Sequence, residues 1–221
     1  MKARFTLALF DLDGTLCDTK ADIVGATNHM RESFGLAPLT ADEVERLIGH
    51  GTRALVEGAL GAELRALHDE GNRRLLAHYA EHCLDRTRPY PGLVELIDRL
   101  SPLGVRFAVV TNKLHRFSAK ILQGTGLAER LTAIVGGDTF AKHKPDPRGV
   151  GHVIASVGCG PEEALMIGDS PIDVATARAA GIAVCGVLWG FDVEKLRVSS
   201  PDFLVRDAAE LERVIVSARL G

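Results

Sequence analysis

Apolar residues gather in five short runs, FTLALF (5–10), VRFAVV (105–110), TAIVG (132–136), ALMIG (164–168) and IAVCGV (182–187). The runs are nearly continuous instead of alternating, which suits strands buried on both faces of a parallel sheet. Between them lie stretches with helical spacing: GLVELIDRL (92–100), RFSAKILQGTG (116–126) and PRGVGHVIASVG (147–158). The alternation predicts an α/β fold, a doubly wound parallel Rossmann-like sheet. One interval breaks the rhythm. From 18 to 84 no strand pattern occurs, only the helix-like segments DIVGATNHMRESFG (22–35), TADEVERLIG (40–49) and AELRALHDEGNRRLLAHYAEHCL (62–84). This predicts a helical domain, 18–84, inserted into a core formed by 1–17 and 85–221. The stretch RTRPYPG (86–92), whose prolines disfavour helix, reads as the return linker.

The ends of the runs carry the chemistry. Asp11 and Asp13 follow the first, Thr111 and Asn112 the second, Lys144 the third, Asp169 and Asp173 the fourth. Loops at the carboxyl ends of neighbouring parallel strands meet in one crevice, the usual ligand site of such sheets. Four carboxylates against one ammonium imply a divalent cation. The donors are all oxygen, which favours Mg²⁺ over Zn²⁺. Mg²⁺ with a threonine, an ammonium and the amides of a Gly-Thr loop makes a receptor for a phosphoryl group. An aspartate beside that group can attack phosphorus and form an acyl phosphate. A second, two residues on, can protonate the departing alcohol and then activate water. Asp18 and Thr19 read as the start of a helix.

Composition narrows the partners. Of 221 residues, 26 are Lys or Arg and 29 Asp or Glu, for a net charge of −3. That balance argues against nucleic-acid and membrane-surface binding and for a small-molecule partner. Cys17, Cys83, Cys159 and Cys185 form no CxxC pair and read as free thiols in a reducing cytoplasm. The opening MKARFTLALFDLD reaches Asp11 too early for a signal-peptide core, and no run approaches a membrane span.

The stretches DLDGT (11–15), VVTN (109–112), the KP of Lys144–Pro145 and GDSPID (168–173) resemble, in order and spacing, the four motifs of the haloacid dehalogenase-like phosphatases. The insertion resembles that superfamily's C1-type cap. Two further segments, LTADEVERLIGHGTRALVEGAL (39–60) and ARAAGIAVCGVLWGF (177–191), are similar to phosphoglycolate phosphatases. The resemblance implies a Mg²⁺-dependent phosphomonoester hydrolase with an aspartyl-phosphate intermediate, acting on a small phosphorylated metabolite, 2-phosphoglycolate first. Asp11 would be the nucleophile and Asp13 the acid/base. Thr111, Asn112 and Lys144 would hold the phosphoryl group. Asp11, the Asp13 carbonyl and Asp169 would bind the metal, with Asp173 behind them or orienting Lys144. In the cap, Arg53 in IGHGTRALV is expected to face an anionic leaving group, because its planar fork suits a carboxylate. A cytoplasmic monomer or homodimer is expected.

Other readings stay open: a sugar phosphate or pyrophosphate as substrate, or a mutase similar to β-phosphoglucomutase. A dehalogenase has no use for Asp13. A phosphonatase needs a cap lysine, and the insertion holds only Lys20, near its start. The HYAEH stretch puts His78 and His82 on one helix face in a zinc-protease pattern, without an evident third ligand.

Overall fold

The computed structural model describes residues 3–216. Strands β1 (Leu7–Phe10), β4 (Arg106–Val110), β5 (Ala133–Val135), β6 (Ala164–Gly168), β7 (Ala183–Val187) and β8 (Phe203–Val205) form one sheet. Its order is β5-β4-β1-β6-β7-β8 and every pairing is parallel. The five apolar runs supply five of these strands. The sixth, β8, is a three-residue apolar stretch between Asp202 and Arg206 and is not among the runs. A separate antiparallel pair, β2 (Cys17–Asp18) with β3 (Arg88–Pro89), brackets the inserted segment.

The buried side chains divide by strand parity. Ala8, Phe10, Phe107, Val109, Leu165 and Ile167 belong to one apolar cluster, and Leu7, Leu9, Ala108, Val110 and Met166 to the other. Helices α5 (Leu93–Leu100), α6 (His115–Gly124) and α10 (Ala208–Val216) cover the first face. Helices α7 (Arg148–Val157), α8 (Pro171–Ala180) and α9 (Val193–Val198) cover the second. Both faces being covered explains the unbroken apolar runs.

Between β2 and β3 the chain is helical: α1 (Lys20–Glu32), α2 (Ala41–Glu45), α3 (Thr52–Leu60) and α4 (His68–His82). A capping box starts α2, with the Glu43 amide donating to Thr40 Oγ1 at 3.2 Å and the Thr40 amide to Glu43 Oε2 at 2.8 Å. Ile23, Met30, Val44, Leu55, Leu75 and Tyr79 pack into a cluster continuous with the first face of the sheet. The two connections are tied together by buried Asp22, which accepts from the Thr87 amide at 2.9 Å and its hydroxyl at 2.8 Å. Among the described residues no helix is long and apolar enough to cross a membrane.

Candidate active site

The chain lays β4 and β5 on one side of β1 and β6, β7 and β8 on the other. The direction of winding therefore reverses at β1, which opens a crevice beyond its carboxyl end. Phe10 pairs with Val109 on one side and Ile167 on the other, so the residues that follow these strands arrive at nearly one level. Asp11, Thr111, Asn112 and Asp169 are all buried there, and Lys144 and Asp173 join them.

Lys144 binds the group together. Its Nζ lies 3.1 Å from Asp11 Oδ1 and donates to Asp173 Oδ1 at 2.7 Å. The other oxygen of Asp173 accepts from the Ser170 amide at 3.1 Å and hydroxyl at 2.7 Å, which fixes the start of α8. Asp169 Oδ1 accepts from Thr15 Oγ1 at 3.0 Å, and its Oδ2 from the Phe191 amide at 2.7 Å. A Cβ at Gly14 or Gly190 would collide with this carboxylate, so glycines are what let both loops close around it. Trp189 packs beside Tyr90, with the rings tilted and their centres 6.1 Å apart, and donates from Nε1 to the Thr15 carbonyl at 3.1 Å. Asn112 Nδ2 donates to the carbonyls of Gly49, at 2.9 Å, and Lys144, at 3.1 Å, while its Oδ1 is buried without a partner.

Burial pushes the Asp11 carboxyl up to about 6, against the pull of the Lys144 ammonium. Burial, reinforced by Asp173 and Asp11, pushes Asp169 up to about 8. Lys144 moves upward too: burial opposes its charge, but Asp11 and Asp173 outweigh it. Asp11, Asp169 and Asp173 each offer an oxygen within 4.8 Å of the others, the only such convergent group of three or more His, Cys, Asp or Glu among the described residues. Three buried carboxylates with one ammonium lack positive charge, and their donors are hard oxygens; the cluster can hold a divalent metal.

Asp13 stands apart. Its carboxylate accepts from Thr19 Oγ1 at 2.6 Å and from Lys113 Nζ at 2.9 and 3.0 Å. Thr19 does occupy the position before α1, as expected, yet its side chain makes no capping bond there. Lys113 was not singled out from the sequence, where a lysine after VVTN reads as solvated; α4 makes the difference by bringing Tyr79 over it, with Nζ 4.7 Å from the ring centre. The cavity above, of about 320 Å³, runs from Asp11, Asp13 and Asp169 to an apolar wall of Ile23, Leu55, Leu75, Leu76, Tyr79 and Phe117.

Arg53 is a correction. It points out of the cavity, three-quarters exposed, pairing with Glu57 at 3.1 Å and Asp69 at 3.5 Å. Helix phase is the reason: Thr52 and Leu55 line the cavity and Leu55, Val56 and Ala59 are buried, which turns positions 53 and 57 to solvent. The histidines of HYAEH also face outward. His29, His78 and His82 stack in a row, with ring centres 4.1 and 4.2 Å apart, and His82 meets Asp85 at 2.9 Å.

Residues 8–187 match the model of the haloacid dehalogenase-like hydrolases. The chain belongs to that family. It is 38% identical over 209 residues to a phosphoglycolate phosphatase of Agrobacterium fabrum, covering 93% of this chain and 90% of that one. It is 37% identical over 191 residues to an N-acetylmuramic acid 6-phosphate phosphatase of Pseudomonas aeruginosa, covering 86% and 84%. A crystal structure from Haemophilus somnus, described as a predicted phosphoglycolate phosphatase, superimposes with a TM-score of 0.90 at 27% identity, covering 96% of this chain and 98% of that one. With relatives of this kind over nearly its whole length, the chain is a phosphatase.

Proposed function

We propose that the protein is a Mg²⁺-dependent phosphomonoester hydrolase that works through a phosphorylated Asp11 and takes 2-phosphoglycolate as substrate, in the cytoplasm. The observation that carries the chemistry is Asp11 at the end of β1, buried, 3.1 Å from the Lys144 ammonium and beside Asp169 and Asp173. The substrate rests on the phosphoglycolate phosphatase of A. fabrum and on the cavity's size, ample for a two-carbon acid.

In this reading Asp11 attacks phosphorus and the ester bond to the alcohol oxygen breaks. The departing oxygen takes a proton from Asp13, so glycolate leaves as the alcohol. Water then attacks the acyl phosphate, gives its proton to Asp13 and frees phosphate and Asp11. Thr111, Lys144 and the backbone amide of Asn112 hold the phosphoryl oxygens, because Asn112 Nδ2 is already given to the carbonyls of Gly49 and Lys144. Asp11, Asp169 and the Asp13 carbonyl would hold Mg²⁺, which would supply the positive charge that lets these anions meet a phosphate. Asp173 has both oxygens engaged, which suits orienting Lys144. Segment 18–84 acts as a cap that closes over the core. A phosphate-release screen over 2-phosphoglycolate, sugar phosphates and pyrophosphate, with Mg²⁺ and with EDTA, tests the reading; activity that ignores EDTA defeats it.

A bulkier substrate is the second reading. The cavity's volume of about 320 Å³ falls at the lower end of the ~300–1,000 Å³ typical for drug-sized ligands. The P. aeruginosa relative is named for a phosphorylated amino sugar acid. N-acetylmuramic acid 6-phosphate therefore belongs in the same screen.

A further inference from the structure

Two buried lysines stand at the strand ends, of which Lys113 lines the cavity, and they are held differently. Lys144 is committed to Asp11 and Asp173. Lys113 pairs with one carboxylate, Asp13, through both its oxygens, and lies against the Tyr79 phenol with its side chain 8% exposed. Beside it the Tyr79 hydroxyl is buried and has no hydrogen-bond partner, on a residue 3% exposed. Burial holds that phenol well above its usual pKa, so it keeps its proton and can donate. An unpartnered buried hydroxyl is rare enough to need a reason. The two groups approach from opposite sides, Lys113 from the loop after β4 and Tyr79 from α4. Around them the wall is apolar, Ile23, Leu55, Leu75 and Phe117. The cations farther out are spoken for: Lys195 is exposed and pairs with Asp192 at 3.0 Å, and Arg53 faces outward.

We propose that Lys113 and the Tyr79 hydroxyl form the subsite for an anionic leaving group, a carboxylate carried on the alcohol part of the phosphoester. This rests on the phosphatase reading, in which Asp13 stands beside the departing oxygen. In a 2-phosphoglycolate that oxygen is one carbon from the carboxylate, so a carboxylate near Asp13 comes within reach of the lysine that Asp13 holds. Its arrival gives Tyr79 an acceptor and Lys113 a second anion. The grip of Lys113 on Asp13 loosens, leaving Asp13 free to turn toward the leaving oxygen. A neutral hydroxyl in the carboxylate's place offers one uncharged oxygen instead of two charged ones, so the buried Lys113 ammonium gains no second anion and the site discriminates against it. Lys113 and Tyr79 thus assume the part that Arg53 was expected to play.

The test compares two esters matched except for charge, 2-phosphoglycolate and 2-hydroxyethyl phosphate, in the wild type, Lys113→Met and Tyr79→Phe, with thermal melts to confirm folding. The wild type should prefer the carboxylate ester. Lys113→Met should cut that preference by about 30-fold or more, and Tyr79→Phe by about 3- to 10-fold, mainly through KM for the anionic ester. If instead Lys113→Met lowers kcat on both esters alike and leaves their ratio unchanged, Lys113 acts only by positioning Asp13 and the subsite is refuted. An absence of wild-type preference for the carboxylate both in this pair and between 3-phosphoglycerate and glycerol phosphate refutes it as well. If 2-phosphoglycolate is refused but 3-phosphoglycerate is preferred over glycerol phosphate in a Lys113-dependent way, the subsite stands and only the substrate named above falls. The same preference without dependence on Lys113 overturns the subsite.

Discussion

On the strand side of the cavity every carboxylate is held: Asp11 through Oδ1 by Lys144 and the Leu12 amide, Asp169 through both oxygens by Thr15 and Phe191, Asp173 through both by Lys144 and Ser170. On the side of the helical segment Ile23, Ala26, Leu55, Leu75 and Leu76 line the inner wall, Glu45, His50 and Thr52 also border the cavity, and the buried Tyr79 hydroxyl has no partner. One side is set before any ligand arrives; the other is completed by the ligand. Preorganised charge belongs where a reaction develops charge, and shape with a single unmatched donor belongs where one substrate is chosen among many. Substitutions on the two sides should therefore fail in different ways, the strand side in kcat for every ester and the cap side in the choice between esters.

The largest effect is expected from Asp11→Asn. It keeps the loop's shape but removes the attacking anion, so turnover should fall by about 10⁴-fold or more on every ester and no phosphoenzyme should form. Asp13→Asn keeps the nucleophile and loses the proton donor, for a drop of roughly 10²–10⁴-fold. With an activated aryl phosphate the first step should partly recover while hydrolysis does not, so a phosphate should accumulate on Asp11. Intact-protein mass after acid quench reads both. Phosphate retained by Asp11→Asn, or two variants that behave alike on activated and ordinary esters, would end the division of labour between these residues.

How much of this could be read from sequence follows the same line. The strand side was legible because each apolar run fixes where its loop begins, and parallel strands bring those loops together; Asp11, Thr111, Lys144 and Asp169 needed no knowledge of the insertion. Lys113 and Tyr79 were not legible. Their burial depends on α4 lying over the loop after β4, a contact between segments 34 positions apart that no local pattern records. In HYAEH the two histidines caught the attention while the tyrosine between them turned inward. The loop after β7 hid its role likewise: Gly190 and Phe191 matter only because Asp169 lies against them. Arg53 failed on helix phase, which Leu55, Val56 and Ala59 carry in plain view.

A smaller effect comes from acidity on the strand side. Asp11 and Asp169 rise from an ordinary value of 3.8 to about 6 and about 8, so the folded protein keeps protons that the unfolded chain has already lost. Without metal, stability should therefore fall as pH rises from about 4 to about 8. Between pH 6 and 8 the fall belongs to Asp169, and Asp169→Asn should flatten it. Added Mg²⁺ should raise the melting temperature most at pH 8, where the cluster has given up its protons. A metal-free melting temperature level from pH 6 to 8 would show that Asp169 is not held protonated by its surroundings.

The smallest effect is expected where the sequence pointed to a large one. Arg53 is three-quarters exposed and its partners Glu57 and Asp69 are about half and mostly exposed, so solvent screens both pairs. Neither partner reaches the cavity. Arg53→Ala should change kcat/KM for 2-phosphoglycolate by less than about twofold, with the melting temperature within about 2 °C. The preference for 2-phosphoglycolate over 2-hydroxyethyl phosphate should stay at its wild-type value. Measured beside Lys113→Met, this variant sharpens the contrast: two cations sixty positions apart in the chain, one on the outer face of α3 and one beneath Tyr79 of α4, with only the buried one able to feel the leaving group. A selective loss on 2-phosphoglycolate in Arg53→Ala would mean that the cap swings far enough during turnover to bring α3's outer face over the substrate, and the division between the two sides of the cavity would have to be redrawn for the open state.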